Sequence, residues 1–243
     1  MKVNIVMLTH NREALLTQAV GSLYEHTDRA LFNLTLVDDS SQRSPLDYIH
    51  ELHEGNATTL RIENSKGITG QARNLGIYWA ERYWGRGDWL YLTDNDVYFT
   101  PGWLDKIILG LRVGETRGTF RVMGGWNHPF LKPNSYHPVS TDGLLDFTVT
   151  SHDAITGASQ LMRWATWDQY GPLDAHAVGT GQSEDWKFCQ DIIKDGGWVG
   201  CIQPHVVINC GLTNTEGKPI PGHDEVAAEL AEWRKQYPHL IAE

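Results

Sequence analysis

Val3-Asn4-Ile5-Val6-Met7-Leu8, running into Thr9-His10-Asn11-Arg12, decides the reading of the fold. An apolar run with so little alternation predicts a strand buried on both faces, as in parallel sheets. Asn11 is placed to cap a helix with Leu15, Leu16, Ala19, Val20, Leu23 and Tyr24 on one stripe. The strand-then-helix unit then recurs. Leu34-Thr35-Leu36-Val37 stops at Asp38-Asp39-Ser40-Ser41, and Pro45 opens a short helix with Leu46, Ile49 and Leu52 inward. Thr59-Leu60-Arg61-Ile62 precedes Asn64-Ser65-Lys66-Gly67 and a helix with Ile68, Ala72, Leu75, Trp79 and Tyr83 on one face. Trp89-Leu90-Tyr91-Leu92 leads to Thr93-Asp94-Asn95-Asp96, and Thr100-Pro101 starts a helix through Leu104, Ile107, Ile108 and Leu111. Such repetition predicts an α/β fold whose mostly parallel sheet is flanked by helices. Sheets of this kind bind ligands at the carboxyl ends of their strands.

The second half is less regular. Residues 124–153, rich in Gly, Pro, His and aromatics, read as a long functional loop or a small antiparallel excursion. Ala154 to Met162 reads as a strand, and Trp164, Trp167 and Tyr170 as one core-facing side of a helix. Asp185 to Lys194 reads as a helix closed by Gly196-Gly197. Trp198 to Ile202 and Val206 to Ile208 read as strands, and Glu225 to Gln236 as a last helix. No linker or repeat interrupts the chain, so residues 1–243 are expected to form one domain.

The 243 residues carry 20 Lys+Arg against 30 Asp+Glu, a formal charge of −10, with 41% hydrophobic and 21% charged residues. This mix excludes disorder, collagen and coiled coil. The acidic balance argues against broad nucleic-acid or anionic-membrane binding. No apolar run approaches the ~18–20 residues of a membrane span, and the first strand is too short and interrupted for a signal peptide. A cytoplasmic location is the expectation. Cys189, Cys201 and Cys210, odd in number and without CxxC spacing, read as buried thiols.

The acidic pairs at strand ends carry the chemical signal. Asp94 and Asp96, at i and i+2 beyond a buried strand, suit a hard cation such as Mn²⁺ or Mg²⁺, or else a simple turn. Asp38 and Asp39 suit a base N–H or ribose hydroxyl, or else a solvated turn. Lys66-Gly67-Ile68-Thr69-Gly70-Gln71-Ala72-Arg73 brings backbone amides, a helix start and Arg73 together, which suits a phosphate. Arg73 could equally partner a buried Asp. Glu184 and Asp185 could be catalytic carboxylates or charges that complement a helix dipole. Jointly, at one edge of one sheet, these signals reinforce each other.

In that order the motifs resemble the family-2-type glycosyltransferases, nucleotide-sugar-dependent enzymes of the GT-A fold. The matching residues are Val6-Met7-Leu8-Thr9-His10-Asn11-Arg12, Val37-Asp38-Asp39-Ser40-Ser41, Asn64-Ser65-Lys66-Gly67, Ala72-Arg73-Asn74-Leu75-Gly76, Asp94-Asn95-Asp96, Gly157-Ala158 and Ser183-Glu184-Asp185-Trp186-Lys187-Phe188-Cys189. The resemblance implies a Rossmann-like sheet with a smaller antiparallel acceptor-side part. Residues 1–112 would form the nucleotide-sugar half, and residues 113–243 the acceptor-binding and catalytic half. The implied donor is a nucleotide-diphosphate sugar such as a UDP-sugar. Thr9, Asn11, Arg12, Asp38, Asp39, Lys66, Gly67, Arg73, Asp94 and Asn95 would line its site. Asp94 and Asp96 would hold the metal, and Asp185, with Glu184 as second choice, would deprotonate the acceptor for attack with inversion. Many relatives add a histidine at the end of the last core strand. Here Asn209 stands there, and His223 is the other candidate, while His205 reads as structural. Trp126, His128 and Gly157 would lie on the acceptor side, where the acceptor is open: a glycan, lipid-linked sugar, protein, metabolite or modified nucleic-acid base. A retaining transferase or a sugar nucleotidyltransferase is the alternative, although Leu8-Thr9-His10-Asn11-Arg12 lacks the Gly-rich basic loop of the latter. A non-catalytic nucleotide- or glycan-binding module has no need to keep Asp94, Asp96 and Asp185 together.

Overall fold

A computed structural model describes residues 1–63, 67–116, 120–129, 131–139, 147–174, 184–213, 218–220 and 222–243. Its elements run β1 (Val3–Thr9), α1 (Glu13–His26), β2 (Phe32–Asp39), β3 (Ala57–Ile62), α2 (Thr69–Trp84), β4 (Trp89–Asp94), β5 (Val97–Phe99) and α3 (Trp103–Thr116). They continue with β6 (Phe120–Gly124), β7 (Ser135–Val139), β8 (Phe147–His152), β9 (Ser159–Met162), α4 (Trp164–Tyr170), α5 (Glu184–Lys194), β10 (Trp198–Gln203), β11 (Val207–Asn209) and α6 (His223–Gln236).

Nine strands form one sheet in the order β3-β2-β1-β4-β9-β6-β10-β8-β7. Only β8 and β9 run against the rest, so the sheet is mainly parallel. β5 and β11 pair separately as a small antiparallel ribbon, Asn209 opposite Val97. β1 explains why a continuous apolar run was needed. Val3, Ile5 and Met7 pack in the cluster that holds Leu16 and Val20 of α1 and Trp103 and Ile107 of α3. Val6 packs on the other face with Ala72, Ile77 and Ala80 of α2 and Phe188 of α5. Both faces are therefore covered, and a polar residue in the middle of β1 would be stranded on either side.

Several expectations are corrected. α2 buries Ala72, Arg73, Gly76, Ile77 and Ala80, whereas Leu75, Trp79 and Tyr83, expected inward, are exposed at 41%, 37% and 58%. The sheet selects the small residues: a Cβ at Gly76 would strike Val37 and come within 2.7 Å of Val6. Large side chains at 75, 79 and 83 fit only outward. Asn11 does not cap α1; it lies at φ 54° and its Oδ1 accepts the Gln42 N–H at 2.9 Å. Pro45 opens a 3₁₀ turn that leaves Leu46 exposed. The strand expected from Ala154 begins only at Ser159, and β5 and β6 were not anticipated. Within 124–153 the described residues include an antiparallel edge pair, β7 with β8, in line with the expected excursion. The three cysteines are buried thiols. Among the described residues, no helix is long and apolar enough to cross a membrane.

α6 is fastened by a half-buried ion pair, His205 Nδ1 to Glu229 Oε1 at 2.5 Å. Burial by itself would lower the His205 pKa, but Cys201 and Glu229 outweigh it and raise it to about 10. A histidine raised above its unfolded value of roughly 6.5 adds stability that is complete below that pH and is lost as pH rises through the folded value. Stability measured by urea titration is therefore expected to decline between about pH 7 and pH 10. His205→Gln should flatten that limb. An unchanged alkaline slope in the variant would refute the assignment.

Candidate active site

The parallel register sets the site. Thr9 lies opposite Asp38 across β1 and β2, and Leu8 opposite Asp94 across β1 and β4. The carboxyl ends of these three strands thus surround one cleft of about 410 Å³, which Arg12, Asp39, Gly67, Arg73, Asp94, Asn95 and Asp96 line. Leu8, His10, Ser40 and Thr69 also line it. These four stand within the sequence motifs, which give none of them a site role of its own. Asn11, Arg12 and Ser40 all have positive φ, so the rim is built of backbone conformations that L-residues adopt at a cost.

The two aspartates after β2 separate cleanly. Asp38 is fully buried, and its register partner on β3 is Arg61, which donates to Asp38 Oδ2 at 2.7 Å. Its Oδ1 accepts the Ser41 N–H at 2.9 Å. Asp38 is thereby committed to the fold. Asp39 points the other way into the cleft, and its Oδ1 is buried without a hydrogen-bond donor among the described residues. Thr9, expected in the donor site, is buried and is not among the residues lining the cleft; its hydroxyl accepts from the Asn95 amide at 2.9 Å.

Arg73 is the centre of the site. It is 4% exposed, donates through Nη2 to Asp94 Oδ1 at 2.6 Å, and sets Nη1 3.3 Å from Glu184 Oε1. Burial works against its charge, but Asp94, Glu184 and Asp185 outweigh it and raise its pKa. Gly157 lies directly under the guanidinium, where any Cβ would overlap Nη1. Its N–H donates to Asp185 Oδ2 at 2.8 Å, and Asp185 Oδ1 accepts the Trp186 N–H at 2.8 Å. One arginine and one glycine therefore join Asp94 to the acidic start of α5. Burial raises the Glu184 pKa, with Arg73 opposing.

Arg12 reaches the other acid of the Asp94-Asn95-Asp96 turn, donating to Asp96 Oδ2 at 2.5 Å and to the Thr213 carbonyl. Burial, and then the charge of Asp94, push Asp96 up to about 6 despite Arg12. Two crowded carboxylates at i and i+2 are an oxygen donor set that a hard divalent cation would relieve. Among the described residues, no third His, Cys, Asp or Glu joins them in a metal-sized group. His223 starts α6, and its Nδ1 lies 3.1 Å from Asp224 Oδ1. Asn209 is nearer, because Cys210 N donates to the Asp96 carbonyl at 2.7 Å, but the Asn209 Oδ1 accepts the Gly211 N–H at 2.8 Å.

On the expected acceptor side, Trp126 is 2% exposed and gives its Nε1–H to Glu229 Oε2 at 3.3 Å, so its ring belongs to the core and offers no open face. His128 is buried beside Gly222, 5.7 Å from the Trp126 ring. Lys66, with Asn64, Ser65, Phe130 and Ser183, lies outside the described residues.

Comparison with known proteins agrees with this fold. The family model described as glycosyl transferase family 2 matches residues 4–165. Staphylococcus aureus TarS 1–349 superposes with a TM-score of 0.63 at 18% identity, over 85% of this chain and 59% of that one. GalNAc-T7 with UDP, GalNAc and Mn²⁺ gives 0.64 at 15% identity, over 96% and 48%. The Pyrobaculum calidifontis mannosyltransferase PcManGT, in complex with GDP-Man and Mn²⁺, gives 0.60 at 16%, over 82% and 53%. These likenesses establish the fold, and the chain spans about half the length of the structures it matches. No curated protein sequence matches it.

Proposed function

Because the chain belongs to glycosyl transferase family 2, we propose that it moves a sugar from a nucleotide-diphosphate donor, a UDP-sugar in the first instance, to an acceptor hydroxyl with inversion. The observation that carries this reading is the single guanidinium of Arg73, which spans from Asp94 in the cleft to Glu184 beside Asp185. Donor-side and base-side carboxylates thus lie within reach of one side chain. Asp39, with its unmatched acceptor oxygen, suits the N–H and O–H groups of a nucleoside. The solved relatives named with UDP, GDP-Man and Mn²⁺ support a nucleotide-sugar and a divalent metal.

Cleavage of a sugar–phosphate bond builds negative charge on the departing diphosphate. Arg73, buried at the cleft, is placed to receive part of that charge. Asp94 and Asp96 would hold Mn²⁺ or Mg²⁺, which when bound neutralises phosphate oxygens. Asp185 accepts the proton of the attacking hydroxyl, and the amides of Gly157 and Trp186 fix its carboxylate for that role. In this reading residues 1–112 bind the donor and residues 113–243 supply base and acceptor surfaces.

Calorimetry and thermal melting with UDP, GDP and their sugars, with and without Mn²⁺, test the donor. Ligand at about 100 times Kd should add roughly 2.7 kcal/mol to stability. Asp39→Asn should weaken nucleotide binding about tenfold without lowering Tm, since it removes an acceptor that the fold does not use. Asp94→Ala and Asp96→Ala should remove the increment due to metal. If none of these nucleotides binds, the donor assignment fails. Mass spectrometry of products with a donor panel then identifies the sugar.

A further inference from the structure

Asn74 follows Arg73 on the first turns of α2 but takes no part in the cleft. It lines a second hollow of about 430 Å³ on the far side, with Leu173, Asp174, Lys187 and Phe188. Its amide pairs with both backbone polar groups of one distant residue, Leu173. Nδ2 donates to the Leu173 carbonyl at 2.8 Å, and Oδ1 accepts the Leu173 N–H at 2.9 Å. Leu173 is 3% exposed and packs in the same cluster as Phe188, Cys189 and Ile192 of α5. One turn earlier, a Cβ at Gly70 would lie 3.0 Å from the Asp174 carbonyl and 3.3 Å from Glu184 Cβ. A single turn of α2 therefore carries Arg73 into the cleft on one side and grips the support of α5 on the other.

We propose that Asn74 is a positioning residue that sets Glu184 and Asp185 against Arg73 by clamping Leu173 under α5. The inference rests on the reading that the start of α5 supplies the base. Only a side chain that both donates and accepts can pair with the N–H and the C=O of one residue. Aspartate, of the same size, keeps the bond to the Leu173 N–H and sets a charged oxygen against the Leu173 carbonyl. A shift of about 1 Å at a reacting group costs on the order of 10²-fold in rate, whereas Asn74 is not among the residues that line the nucleotide cleft.

The test uses Asn74→Asp and, should that variant fold poorly, Asn74→Ala. UDP affinity is read by calorimetry, UDP release from UDP-sugars by a coupled assay, and backbone motion by amide hydrogen exchange. Turnover should fall about 10- to 100-fold while the Kd for UDP stays within twofold. Exchange should quicken at Leu173 and across residues 184–189. In an Asp185→Asn background the same change should add less than threefold, because both act on one step. Wild-type turnover, fully additive losses, or unchanged exchange at the start of α5 overturns the proposal. Failure of the base reading appears separately, as wild-type turnover in Asp185→Asn alone, and the exchange data then decide the clamp by themselves.

Discussion

Asp185→Asn is expected to reduce turnover by about 10²- to 10⁴-fold, the range that a positioned general base contributes, and to leave UDP affinity nearly intact. The substitution keeps the size of the side chain and removes its basicity. It is not silent for the fold. Both Asp185 oxygens accept backbone N–H groups, from Gly157 and Trp186. An amide can satisfy only one of these and presents its own NH₂ to the other, at about 1–3 kcal/mol. A modest fall in Tm is therefore part of the expected result, and unchanged UDP binding is the control that separates lost chemistry from lost structure. Product analysis supplies the second arm, since inversion requires the opposite anomeric configuration from the donor. Wild-type turnover, or a product of retained configuration, would sink the inverting assignment. Glu184 does not replace Asp185 without consequence, because Arg73 lies 3.3 Å from its carboxylate. Glu184→Gln should loosen Arg73 and so depress donor binding as well as turnover.

The alternation of strands and helices in residues 3–116 was legible because β1, β2 and β4 are buried along most of their length and are therefore mostly apolar. The face of α2 was misread for a physical reason. Hydrophobic periodicity favours the larger side chains, but a helix lying close on a sheet needs small ones, and Gly76 against Val6 and Val37 decided the rotation. The acids at strand ends could be placed at one edge from their order, yet their roles could not be separated. Asp38 and Asp39 differ only by the face on which each falls, and Arg61, the register partner of Asp38, was invisible to reasoning within one segment. The same limit hid the clamp between Asn74 and Leu173, two residues 99 positions apart. His223 was chosen for the chemistry of imidazole, and sequence has no measure of where a loop carries a side chain. Trp126 shows the opposite error: an aromatic in a Gly- and His-rich stretch invited a stacking role, while Glu229 and the core claim it.

Arg73→Met should be the most damaging single change to stability in the site. Methionine fills much of the volume, so the loss is one of charge. Asp94, Glu184 and Asp185 all act on the buried guanidinium. Removing one partner of a buried ion pair typically costs about 3–5 kcal/mol, because the charges left behind remain desolvated. In a chain of this size each kcal/mol corresponds to roughly 2–4 °C, so a fall in Tm of about 6–20 °C is expected. Two further measurements separate this cause from a packing defect. Glu184→Gln in the Arg73→Met background removes one stranded charge and should recover part of the lost stability, where a packing defect would make the two changes add. Lowering the pH should also help the variant. Without Arg73 the stranded carboxylates bind protons more readily when folded than when unfolded, so their penalty grows as pH rises and shrinks as pH falls toward about 4. Arg73→Lys should lie between, since an ammonium supplies a point charge but cannot fork between Asp94 and Glu184. If Arg73→Met melts with the wild type, or if its deficit is the same at pH 4.5 and pH 7.5, the guanidinium is not the counter-charge that holds the two halves of the site together.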